Sequence, residues 1–116
     1  MENVRKENLI VTLSLEFAIE VVKYCDVLEE RKKFVIARQL LKSGTSIGAN
    51  VREAQNAESR SDFIHKFKIA AKEAEETEYW LLICKSSLGY PSAEILMEKL
   101  KSIQKIINKI IVNSRV

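Results

Sequence analysis

The chain has 116 residues with 47% hydrophobic and 30% charged residues, which is the balance of one globular domain and excludes a disordered chain. Its formal net charge is +3. Three glycines and one proline are too few for a sheet with many turns, and they point to long helices. Two distant cysteines and one histidine give no zinc ligand set, so no metal and no cofactor is expected. The sequence shows no basic segment leading into an apolar core at its start. Its longest apolar runs fall far short of the ~20 residues that span a bilayer. The expectation is a soluble, cytoplasmic protein with reduced thiols and no membrane partner.

The first helix is expected over about residues 5–28. Ile10, Leu13, Phe17, Val21, Tyr24 and Leu28 recur at spacings of three and four. A second stripe of Val11, Leu15, Ala18, Val22 and Cys25 runs beside it. Together they cover a wider arc than one buried face requires, so the second side is expected to meet another subunit. Charged residues Glu29 to Lys33 mark the turn. The second helix follows over 34–55 on the stripe Ile36, Leu40, Ile47, Val51 and Ala54. Ser43 to Gly48 reads as uninterrupted helix, with small residues where another backbone comes close.

The third helix is expected over 60–88, capped by Ser59 with Asp62 three residues on. Phe63, Phe67, Ala70, Ala74, Thr77, Leu81, Cys84 and Leu88 keep a four-three alternation, the seam of a bundle. Gly89 is placed to end this helix, and Gly89-Tyr90-Pro91 is the clearest turn. The fourth helix is expected over 92–113, with Ser92 as cap and Leu96, Leu100, Ile103, Ile107 and Ile110 as its stripe. Short connections between four such rods predict an all-α, antiparallel up-down four-helix bundle in a single domain.

Charge is unevenly spread. Residues 1–29 carry three basic and six acidic groups, residues 30–57 six and two, and residues 92–116 five and two. Arg38, Lys42 and Arg52 fall on one side of the second helix, with Arg31 in line with them. Lys101, Lys105 and Lys109 stand four apart on the fourth. Like charges at that spacing repel by a few tenths of a kcal/mol per pair. An anionic partner such as an RNA or DNA backbone would relieve them; otherwise they form a solvated face. The wide apolar arc of the first helix suggests instead a scaffold for a protein partner. Arg60 and His65 match Arg-x4-His, a short pattern of metal-independent helical ribonucleases of the HEPN class. The preferred expectation is a protein that is not an enzyme and has no catalytic residue. Asn50, Glu53, Arg60 and Glu76 read as structural polar groups that fix register, with a Glu53–Arg60 pair between helices. Cys25 and Cys84 read as small core hydrophobes, and Tyr79 and Trp80 as interface or packing residues.

The run Ser46-Ile47-Gly48-Ala49-Asn50-Val51-Arg52-Glu53-Ala54 is followed by Arg60-Ser61-Asp62-Phe63-Ile64-His65 and Ile69-Ala70. With Gln39-Leu40, Glu76 and Leu88-Gly89-Tyr90, it resembles the bacterial four-helix bundle proteins described from intervening sequences in 23S ribosomal RNA genes. The resemblance runs from about Phe17 to Ile106. Arg52 and Ala54 stand where that family usually has Ala and Gly. Lys66 stands for an aromatic, and Lys72-Glu73 for a small pair. The resemblance implies a homo-oligomeric ring, typically a pentamer, and no enzymatic activity. The accessory variability determinant of diversity-generating retroelements, similar in fold, binds nucleic acid and a reverse transcriptase, and this favours the nucleic-acid reading.

Overall fold

A computed structural model describes residues 2–115, with side chains from residue 9 onward. Four helices form: α1 Glu2–Glu30, α2 Phe34–Ala54, α3 Arg60–Ser86 and α4 Glu94–Ser114. Among the described residues there is no strand. The molecule measures 46 × 22 × 19 Å, close to the length of one helix of 27 residues (α3) at ~1.5 Å per residue. Each helix packs on two others, α1 on α2 and α4, α3 on α2 and α4. The diagonal pairs α1/α3 and α2/α4 do not pack on one another.

The core is filled by the predicted stripes. Phe17, Val21 and Leu28 of α1 are buried, as are Leu40, Ile47 and Val51 of α2. Phe67 and Leu81 of α3 and Leu100, Ile103 and Ile107 of α4 complete it. Each aliphatic or aromatic side chain so withdrawn from water contributes roughly 1.5–3 kcal/mol. Cys25 and Cys84 are free thiols inside this core.

α2 passes through Ser43–Gly48 without a break. At Gly44 a Cβ would stand 2.9 Å from Val21 Cγ1, and at Gly48 it would stand 3.2 Å from the Ser14 carbonyl oxygen. The two glycines are therefore where α1 presses against α2. Among the described residues, Ser14, Ser43 and Thr77 are buried hydroxyl residues. Thr77 Oγ1 lies 2.7 Å from the Glu73 carbonyl and 3.0 Å from Ser43 Oγ. A hydroxyl has one proton to give. The shorter contact takes the Thr77 proton, and Ser43 then donates to Thr77 across the α2/α3 interface.

The turns differ in part from expectation. α1 ends in a Schellman motif: Lys33 N–H donates to Leu28 C=O at 2.8 Å and Lys32 N–H to Glu29 C=O at 2.9 Å. Lys32, at φ +63°, holds the left-handed position that glycine usually takes. At the start of α3, Ser59 Oγ accepts from Asp62 N–H at 3.0 Å. Asp62 Oδ2 accepts from Glu58 N–H, one residue before the cap, at 3.2 Å. α3 stops at Ser86, because Ser87 is extended; Gly89, at φ +83°, lies beyond the helix. Leu88 is consequently off the seam and 98% exposed. α4 starts at Glu94 rather than residue 92, with Ser92 Oγ accepting from Glu94 N–H at 3.4 Å.

Candidate nucleic-acid interface

α2 carries its basic residues opposite its buried stripe. Arg38, Lys42 and Arg52 are all exposed. At 3.6 residues per turn they span an arc of about 80°. Within that arc they face different neighbours. Lys42 is felt by Glu73 on α3: burial and Glu76 raise the Glu73 carboxyl, while Lys42 lowers it. Arg52 instead borders an open cavity of about 200 Å³ between α1 and α2, together with Val11, Leu15, Ala18 and Ala49.

On α4 the geometry is simpler. Leu100, Ile103, Ile107 and Ile110 are buried, and Lys101, Lys105 and Lys109 occupy the opposite, exposed side. The ion pairs formed among the described residues are Lys23–Glu20 at 3.8 Å and Lys66–Glu53 at 2.9 Å. The α4 lysines enter neither of these pairs. Since α2 and α4 are diagonal and do not touch, their basic rows point away from each other. One chain presents two separate cationic faces, not one continuous patch. Spacing along a single helix reveals each row, but not which helices lie across the bundle from each other.

The polar groups near the seam are engaged locally. Asn50 Nδ2 donates to the Ser46 carbonyl at 2.9 Å. Glu76 accepts from Trp80 Nε1 at 3.1 Å on the same helix. Glu53 does join α2 to α3, but by accepting from Lys66 Nζ at 2.9 Å, where the sequence suggested Arg60. This bond is the main cause of the raised Lys66 pKa. Arg60 opens α3 on the surface, and His65 is exposed five residues on. The two are turned about 140° apart around the helix. Among the described residues no three His, Cys, Asp or Glu side chains gather as a metal site. No described helix is long and apolar enough to cross a membrane.

Several contacts important to the arrangement were not read from the sequence. Gln104 Nε2 donates to Glu78 Oε1 at 3.0 Å between α4 and α3. Tyr24 Oη donates to the Pro91 carbonyl at 2.7 Å, tying α1 to the α3–α4 connection. Thr77 was visible as a polar residue on the α3 seam, yet nothing in spacing names Ser43 as its partner.

The model of the 23S rRNA-intervening sequence protein family matches residues 6–111, nearly the whole bundle. The chain belongs to this family. It is also similar to a protein of unknown function from the S23 ribosomal protein family of Bacteroides thetaiotaomicron, known by its crystal structure. The two share 45% identity at a TM-score of 0.85, over 91% of this chain and 97% of that one. No curated protein matches the chain. Asn50, Glu53 and Arg60 lie around the α2–α3 connection, at one end of the bundle.

Proposed function

We propose that this is a non-catalytic, cytoplasmic four-helix protein whose neighbouring helices run antiparallel. It assembles into a homo-oligomeric ring and binds RNA or DNA phosphates chiefly through α4. The row Lys101, Lys105 and Lys109 carries the reading: three like charges on one exposed helix face, with no carboxylate paired to any of them among the described residues. Contacts 14 to 48 and 21 to 44 between α1 and α2, and 43 to 77 and 53 to 66 between α2 and α3, support the antiparallel order, since within each pair of helices one number rises as the other falls.

Self-association is supported by α1, where Leu15, Ile19 and Val22 remain 43–49% exposed beside the small-residue groove. Arg52 borders that groove and so belongs with assembly, while Arg38 and Lys42 form a second cationic face. The resemblance to the family favours a pentamer.

The test is a titration with structured RNA and with duplex DNA across a salt series. The expected result is log affinity falling linearly with log salt, with a slope of about 0.9 per duplex phosphate contacted. Reversing Lys101, Lys105 and Lys109 to Glu should abolish binding. Affinity unchanged by that reversal would refute the role of α4. In parallel, Leu15→Glu with Val22→Glu should reduce the oligomer to monomers in sedimentation.

A further inference from the structure

The α1–α2 turn and the α3–α4 connection meet at one end of the bundle. Arg31 Nη1 donates to the Gly89 carbonyl at 3.1 Å, and Lys33 Nζ stands 5.0 Å from the centre of the Tyr90 ring. Around this junction large apolar side chains lie open to water: Leu88 is 98% exposed, Ile95 67%, Val35 66% and Phe34 47%. Scattered single exposures need no explanation, but four at one end of a small protein do. Lys32, Lys33, Phe34, Val35, Ile36 and Tyr90 line an open cavity of about 250 Å³ there. Its lining brings apolar surface and two ammonium groups, and no carboxylate. Lys32 also holds a left-handed backbone, a conformation that side chains rarely adopt.

We propose that this end of the bundle docks a peptide segment of another protein that presents apolar side chains next to carboxylates. Charge complementarity selects the occupant. A second copy meeting this end about a two-fold axis would bring the same two lysines together, which is repulsive, and the ring contact proposed above uses the α1 face instead. A nucleic acid would satisfy the lysines and leave Leu88, Ile95 and Val35 in water. An anionic membrane surface would meet Glu29, Glu30 and Glu94, which neighbour these residues in the chain. The cavity lining itself holds two lysines and no carboxylate, so a segment seated in it meets the lysines first. Such a ligand would cover apolar surface and place its anions on Lys32 and Lys33, displacing or reinforcing the cation–π contact on Tyr90.

The site is distinct from the α4 lysine row, so it can be tested whether or not nucleic acid binds. The probes are two blocked octapeptides with the same leucines and phenylalanine, one interleaved with Asp and the other with Lys. They are titrated into the isotope-labelled full chain and followed by amide chemical shifts. The acidic peptide should shift residues 31–36 and 87–95, and the basic one should not. Leu88→Ser and Lys32→Glu should each weaken the acidic peptide at least about fivefold. Leu88 is almost wholly solvent-exposed, so its replacement leaves the fold intact and the comparison clean. Equal responses to both peptides would overturn the proposal. So would no response at millimolar peptide, or binding of anionic phospholipid vesicles that the acidic peptide does not displace.

Discussion

Replacing Gly44 by alanine probes the α1/α2 contact directly. In an open helix interior that change stabilises by about 1 kcal/mol, because glycine costs backbone entropy. Here the new methyl would lie 2.9 and 3.0 Å from the two Val21 γ-carbons. Val21 is fully buried, and a β-branched side chain in a helix has one strongly preferred rotamer. It cannot turn aside, so the helices must part. Overpacking of this kind costs about 1–3 kcal/mol, so Gly44→Ala should be a net loss of about 1 kcal/mol, roughly 4 °C in Tm for a chain of this size. The decisive comparison is the double variant. In a Val21→Ala background the obstructing methyls are gone, and Gly44→Ala should stabilise by about 1 kcal/mol. Urea unfolding at fixed protein concentration measures both effects, since self-association would otherwise move the midpoint. A stabilising Gly44→Ala in the unmodified protein, or an equal effect in both backgrounds, would refute the close approach.

Further outcomes follow from other contacts. Thr77→Val should cost about 1–3 kcal/mol in denaturant unfolding by leaving the buried Ser43 hydroxyl poorly satisfied, and adding Ser43→Ala should recover part of that loss. Lys32→Gly should stabilise by about 1 kcal/mol in the same assay by relieving the left-handed backbone. Burial, followed by the neighbouring Cys84, pushes the Cys25 thiol up to about 12. The folded state therefore holds this proton more tightly than the unfolded state. Its contribution is complete below about pH 9, where both states are protonated. It is lost as pH rises toward 12. Thermal stability should fall above about pH 9, less steeply in Cys25→Ala.

The helices and their inward faces were legible because apolar periodicity is a local signal repeated many times. On α3 the alternation from Phe67 to Cys84 predicts each buried position. It misleads at Leu88, where the extended Ser87 ends the helix before the pattern does. The small residues of α2 were legible too, because glycines inside an otherwise strong helix require a reason. Pairings across helices were not. Glu53 has both Arg60 and Lys66 within plausible reach along the chain, and only the packing of α2 on α3 selects Lys66. The basic residues of α2 look like one row in sequence. They divide because Lys42 leans toward α3 and Arg52 toward α1, about 80° apart around the helix, and spacing alone does not say which neighbour lies on which side.

Gly48 has a double position. Its inward side lies against the Ser14 carbonyl, and its outer surface forms part of the cavity that Leu15, Ala18 and Arg52 also line. At this point α2 is a wall one backbone thick between the interior and the trough outside. A side chain added there could not relax outward without filling the trough, nor inward without displacing α1. Internal packing and the shape offered to a neighbouring molecule are therefore set by the same atoms, and neither can change alone at this residue.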